Sequence, residues 1–134
     1  MASELRVNTL KDASGNNSVG MSTVAEGTVK MWINMNGTGT PAARDSFNVA
    51  SITDNGTGDQ TVNYTNSFGT VNYAVVNYAA YQGTGQLHNN RMTGSSNKAT
   101  GSIRVATGYV SSTVGNLGAE DVAENNYANW GDLA

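Results

Sequence analysis

An all-β fold is what this sequence predicts: one antiparallel β-sandwich body of jelly-roll-like type, carrying an extended N-terminal arm. Three observations predict it. Asn, Gly, Thr and Ser number 18, 16, 15 and 12, so they fill 61 of 134 positions; beside Val and Tyr, such residues mark short strands joined by tight turns. Charged residues make up only 13%, about half the usual share, which speaks against a charge-laced helical protein and against a disordered tail. Segments alternating with period two recur along the chain with turn signals between them, the pattern of a sandwich or barrel. A chain of 134 residues has the length of a single domain.

The elements follow in order. Residues 1–25 form a polar N-terminal assembly or attachment arm, with the alternating strand Leu5–Lys11 and then a turn-rich stretch, Asp12–Asn17. One such strand has too little apolar area to stand alone, so it must pair with the body, a copy of itself or another protein. The body spans residues 26–134. Its first strand, Thr28–Asn36, places Val29, Met31, Ile33 and Met35 on one face and Thr28, Lys30, Trp32 and Asn34 on the other. The Gly37–Pro41 stretch ends it. In Ser46–Thr53, Phe47 and Val49 face one way and Ile52 breaks the parity, which predicts a bulge or a change of sheet. Asp54–Gly58 is a strong turn, since Asn-Gly and Gly supply positive φ, and Asp59–Thr65 returns with Val62 and Tyr64 on one face. Val71–Tyr81 is apolar on both faces and reads as a central, doubly covered strand. Shorter strands are expected at Gln86–Met92, Gly101–Thr107 and Gly108–Thr113. The stretch Ala119–Trp130 is open between a short helix, favoured by its acidic start, and other structure, favoured by Asn125-Asn126.

Seven basic against ten acidic groups provide no field for nucleic acid, whose affinity rests on clustered Lys and Arg. Cys is absent, which removes disulfides, thiolate catalysis and zinc–thiolate sites. No apolar run reaches the roughly 18 residues of a membrane helix, so no membrane insertion is expected. The N-terminus shows neither a basic leader nor an apolar core segment, so no signal peptide is expected and synthesis inside a cell is.

The segments Trp32–Thr40 and Arg44–Asp59 resemble a β-rich module of virion surface proteins in tailed bacteriophages, especially phages of marine and cyanobacterial hosts. Such proteins are labelled tail fibre or virion structural proteins. The opening Glu4–Asn16 is similar to the start of such proteins, and the likeness covers roughly residues 4–81. It implies a non-enzymatic phage structural protein, homotrimeric, made in the host cytoplasm and located in the virion. With about 110 residues in the body and no shaft, the expected roles are a capsid or tail decoration or a short receptor-binding fibre tip. A stand-alone carbohydrate-binding module is the alternative.

Chemistry finds little footing. His88 is the single histidine, and no nucleophile motif accompanies it; it reads as a polar loop or strand residue. Asp54 and Asp59 flank a turn, a solvated place where carboxylates keep ordinary pKa values, whereas a glycosidase acid needs a raised one. The same turn lacks the ligand order of a calcium loop, and Glu120, Asp121 and Glu124 read as a solvated acidic face. No catalysis, cofactor or metal is expected. The residues singled out are adhesive ones. Leu5, Val7 and Leu10 of the arm, with Trp32, form the expected assembly interface, because a lone strand and a Trp on the non-core face both want cover. Tyr81, His88, Asn89, Asn90 and Arg91 form the candidate receptor contact. Expected partners are other copies in a homotrimer, other capsid or tail proteins and, for a tip, a host-surface glycan.

Overall fold

The computed structural model describes residues 3–80, 87–91, 97–110 and 117–134, with side chains for all but 87–91, 110 and 117. The fold is all-β, with 56% of the described residues in strands. Two antiparallel sheets pack face to face around a single core. One contains β3 (Met31–Asn36), β4 (Ala42–Phe47), β7 (Ala74–Ala80) and β12 (Glu124–Trp130) in the order β4-β3-β12-β7. The other contains β5 (Val49–Gly56), β6 (Asp59–Tyr64), β8 (Leu87–Arg91), β9 (Lys98–Ala99), β10 (Ser102–Val110) and β11 (Leu117–Ala119). Its path is β11-β10-β6-β5, with β8 and β9 also on β10.

Alternation places the core. Met31, Ile33 and Met35 of β3 and Tyr127 of β12 meet Val62 and Tyr64 of β6 and Ile103 and Val105 of β10, all buried. Phe68 and Tyr73, between β6 and β7, close one end: their rings stack at 4.4 Å, and Tyr64 meets Phe68 edge-on at 5.3 Å. A buried relay crosses the sandwich. Asn129 Nδ2 donates to the Tyr64 hydroxyl at 2.8 Å, and the Tyr64 and Tyr73 hydroxyls lie 3.2 Å apart. The Tyr73 hydroxyl donates toward the Ala99 and Ser102 carbonyls, each at 3.1 Å. Polar groups inside a core are tolerated where they find such partners.

The hairpin expected at Asp54–Asp59 is present as β5–β6, with Gly56 and Gly58 at φ 128° and 65°. The parity break expected near Ile52 also has its counterpart. Asn48 at φ 60° separates β4 from β5 and hands the chain from one sheet to the other, and the β5 register shifts between Val49 and Ser51. Asn48 is suited to the pivot because Asn tolerates the left-handed region and its amide is fully used. Nδ2 donates to the Lys30 and Asn66 carbonyls, each at 3.0 Å, and Oδ1 accepts from Asn66 N–H at 2.7 Å. Asn48→Ala is expected to cost about 2 kcal/mol in urea unfolding, and Asn48→Gly about 1 kcal/mol less, since Gly keeps the backbone angle and loses only the amide bonds.

Two expectations are corrected. Val71–Tyr81 is not a central, doubly covered strand: β7 sits at the edge of its sheet, and Val76 and Tyr78 are exposed; a strand apolar on both faces also suits an edge that is meant to be covered. The arm's strand is shorter than Leu5–Lys11 and has a partner in the chain itself. β1 (Thr9–Lys11) pairs with β2 (Ser18–Gly20) around a turn in which Asp12 accepts from Asn16 N–H, Asn17 Nδ2 and Ser14 Oγ, and a seven-residue helix, α1 (Met21–Gly27), leads into the body. Those bonds hold the Asp12 carboxyl below the usual carboxylate range, Asn17 being the largest cause. The stretch left open by the sequence, Ala119–Trp130, is strand and not helix: β12 pairs with β3 on one side and β7 on the other.

The outer face of the four-stranded sheet

Residues of β3, β4, β7 and β12 that turn away from the core make one surface. Register aligns them in rows. Phe47, Trp32, Ala128 and Val76 lie side by side across the sheet, and Asp45, Asn34, Asn126 and Tyr78 form the next row. Phe47, Trp32, Val76 and Tyr78 are 52, 37, 60 and 59% exposed, so the sheet turns large apolar side chains to solvent on a face that a lone sandwich covers with polar ones. Ala128 is the low point. The small side chain leaves a groove of about 320 Å³ between Trp32 on one side and Val76 and Tyr78 on the other, bordered by Asn34, Asn77 and Asn126.

Polar groups frame the groove at one end. The register of β3 and β4 shifts between Asn34 and Met35, and the extra residue is Arg44. Its guanidinium donates to Asn34 Oδ1 at 3.1 Å, the Met35 carbonyl at 3.2 Å and the Ala123 carbonyl at 2.6 Å, strapping β4 to β3 and to the chain entering β12. Asn126 Oδ1 is shielded from solvent and accepts no hydrogen bond among the described residues.

Trp32 is therefore where the alternation of β3 puts it, on the non-core face. Leu5, Val7 and Leu10 are exposed, at or just before the β1–β2 hairpin. His88, Asn89, Asn90 and Arg91 lie on β8, paired with Tyr109, Gly108, Thr107 and Ala106 of β10; their side chains, and Tyr81, lie outside the described residues. The two sets stand on different sheets. Reading the sequence missed Phe47, Val76 and Tyr78 as members of the surface, and the available signal was the doubly apolar 74–80 segment.

The carboxylates flanking the 54–59 turn have structural duties. Asp54 accepts from Gly56 N–H at 2.9 Å. Asp59 pairs with Arg104, whose guanidinium hydrogen-bonds it and holds its carboxyl below the ordinary range, the opposite of what a glycosidase acid requires. Asp121 accepts from Gly58 N–H at 2.7 Å and reaches Gln60 Nε2 at 3.4 Å, fastening the hairpin from the acidic segment. Among the described residues, no three His, Asp or Glu side chains gather to hold a metal, and no helix is long and apolar enough to cross a membrane. No protein-family model, curated protein or solved structure matches this chain.

Proposed function

We propose that this chain is a non-enzymatic structural protein of a tailed-bacteriophage virion. It stands on the particle surface as a homotrimer and acts as a capsid or tail decoration or a short receptor-binding fibre tip. The observation that carries the adhesive part of this reading is the exposed row Phe47, Trp32, Ala128 and Val76. It contains no charge and lies on a regular sheet, which is how a contact surface is built. The virion part rests on the resemblance of Trp32–Asp59, a segment that forms β3, β4 and β5 in succession. Covering the row and the arm's Leu5, Val7 and Leu10 in symmetric association would remove this apolar area from water.

Locating the chain in purified particles tests the virion reading. Copies in proportion to the capsid subunits mean decoration, copies in proportion to the tail mean a fibre tip, and absence from the particle overturns it. Sedimentation tests the association. The parent chain is expected as a trimer, whereas Trp32→Ser, alone or with Leu10→Ser, is expected to sediment as smaller species while unfolding within about 1–2 kcal/mol of the parent, because both residues are already partly in water. A parent that is monomeric at every concentration overturns trimerisation.

The groove favours a second reading, a carbohydrate-binding module, since Trp32 and Tyr78 offer ring faces beside the amides of Asn34, Asn77 and Asn126. Glycan-array binding by a monomeric species, lost in Trp32→Ser, would select that reading.

A further inference from the structure

The same four residues, Asn-Gly-Thr-Gly, occur at 36–39 and again at 55–58. Asn followed by Gly is the pair most open to loss of the side-chain amide, because Gly has no side chain to hinder attack by its own backbone nitrogen. In an unfolded chain the two asparagines are therefore nearly alike. The fold sets them apart.

Asn36 ends β3, and Gly37 after it is buried. Gly37 N–H donates to the Val122 carbonyl at 2.9 Å, and a Cβ on Gly37 would stand 2.8 Å from that oxygen and 3.3 Å from Asn125 Nδ2. Thr38 holds the Asn36 amide at both ends. Oδ1 accepts from Thr38 N–H at 3.3 Å and from its hydroxyl at 2.8 Å, and Nδ2 donates to the Thr38 carbonyl at 3.3 Å. A backbone packed this closely has no room to turn its nitrogen onto the side chain.

Asn55 meets the opposite conditions at the β5–β6 turn. Asp54 pairs with Gln60 and Gly56 with Asp59, so Asn55 is the extra residue of a bulge. Asn55 and Gly56 are exposed, and nothing lies within 4 Å of a Cβ built on Gly56. Gly56 N–H donates to the Asp54 carboxylate at 2.9 Å, which aims the proton that must leave at a base. Asn55 Nδ2 donates to Thr61 Oγ1 at 2.8 Å and to Asp59 Oδ1 at 3.3 Å; at the surface, water replaces such bonds at little cost.

From this contrast we infer that Asn55 is a site of self-modification and Asn36 is not. The Gly56 nitrogen gives up its proton and bonds to Cγ of Asn55, the Cγ–Nδ2 bond breaks, and Nδ2 leaves with that proton as ammonia. Water then opens the five-membered imide at either carbonyl, leaving aspartate or isoaspartate. Each event adds a carboxylate between Asp54 and Asp59. The isoaspartate form also lengthens the main chain by one carbon, at the bulge where the ladder is already broken. This chemistry needs neither a second copy nor a virion.

The test uses the unaltered full chain, kept folded at mildly alkaline pH and sampled over time by peptide mapping, mass spectrometry and isoaspartyl methyltransferase labelling. Conversion at Asn55 is expected to run at least about tenfold faster than at Asn36. In urea the two rates are expected to converge, chiefly because Asn36 speeds up. Asn55→Ser is expected to remove most of the isoaspartate that the folded chain forms. Conversion at Asn36 that equals or exceeds that at Asn55 in the folded chain overturns the inference, and so does a ratio that persists unchanged in urea.

Discussion

Gly58→Ala is expected to destabilise the protein by about 4 kcal/mol, a large part of the 5–15 kcal/mol that holds a domain of this size together. Two costs combine. Gly58 has φ +65°, where a side chain costs about 1–2 kcal/mol. A Cβ there would also stand 2.3 Å from the Thr107 carbonyl oxygen and 2.7 Å from Glu120 N, both backbone atoms. Relieving that contact separates the β5–β6 turn from β10 and breaks bonds anchored there: Thr107 N–H to the Gly58 carbonyl at 2.7 Å and Gly58 N–H to Asp121 at 2.7 Å. Each is worth about 1 kcal/mol. Gly39 is the matched control, with φ +66° and nothing within 4 Å of an added Cβ; Gly39→Ala is expected to cost only the conformational term, about 1–2 kcal/mol. Urea midpoints of the two variants measure the difference, which isolates the steric part.

Alkali is expected to unfold the chain steeply. Burial pushes the Tyr64 and Tyr127 hydroxyls well above the ordinary tyrosine value; the Tyr73 hydrogen bond adds to the shift at Tyr64. Both folded pKa values exceed the unfolded ones. The unfolded chain therefore loses these protons from about pH 10 upward while the folded chain keeps them, and the native state binds more protons there. Stability is fully present below pH 10 and falls as pH rises, by about 1.4 kcal/mol per pH unit for each hydroxyl, or about 2.7 kcal/mol for the two. Tyr73, also raised chiefly by burial, adds a smaller share. Near-ultraviolet circular dichroism and tyrosinate absorbance, followed together above pH 10, are expected to change in one step for the buried rings. Tyr127→Phe should shallow the slope by about one hydroxyl's worth, at the cost of the 3.0 Å bond that Tyr127 donates to Asn125 Oδ1.

Much of the architecture is legible in the residues. Met31, Ile33 and Met35 reveal their shared face by spacing alone, Val62 and Tyr64 do the same, and Asn55-Gly56 marks the hairpin because few residues accept positive φ. The rest hides for two physical reasons. The inward face of β12 is Asn125, Tyr127 and Asn129, with both amides fully buried. Period-two reading of hydropathy sees no core strand there, since it cannot know that Asn129 will meet the Tyr64 hydroxyl. Conversely, β7 is apolar on both faces, which burial on two sides and exposure at an edge explain equally well until the strand order is known. The outer surface was half visible. Trp32 declares itself by parity, but Phe47, Val76 and Tyr78 join it only through the registers of β4, β12 and β7, which are long-range facts. Arg44 is the extreme case, an ordinary charged residue in sequence and a strap between three segments in space.

The place of β12 between β3 and β7 bears on how the chain is made. During translation β3 and β7 emerge long before residues 124–130, and until those residues leave the ribosome the two have no strand between them. Non-local pairing of this kind folds slowly and leaves apolar edges waiting. Nascent chains stalled before Glu124 should therefore be the species that chaperones hold and that clump when overproduced, and slower growth in the cold should raise the soluble yield.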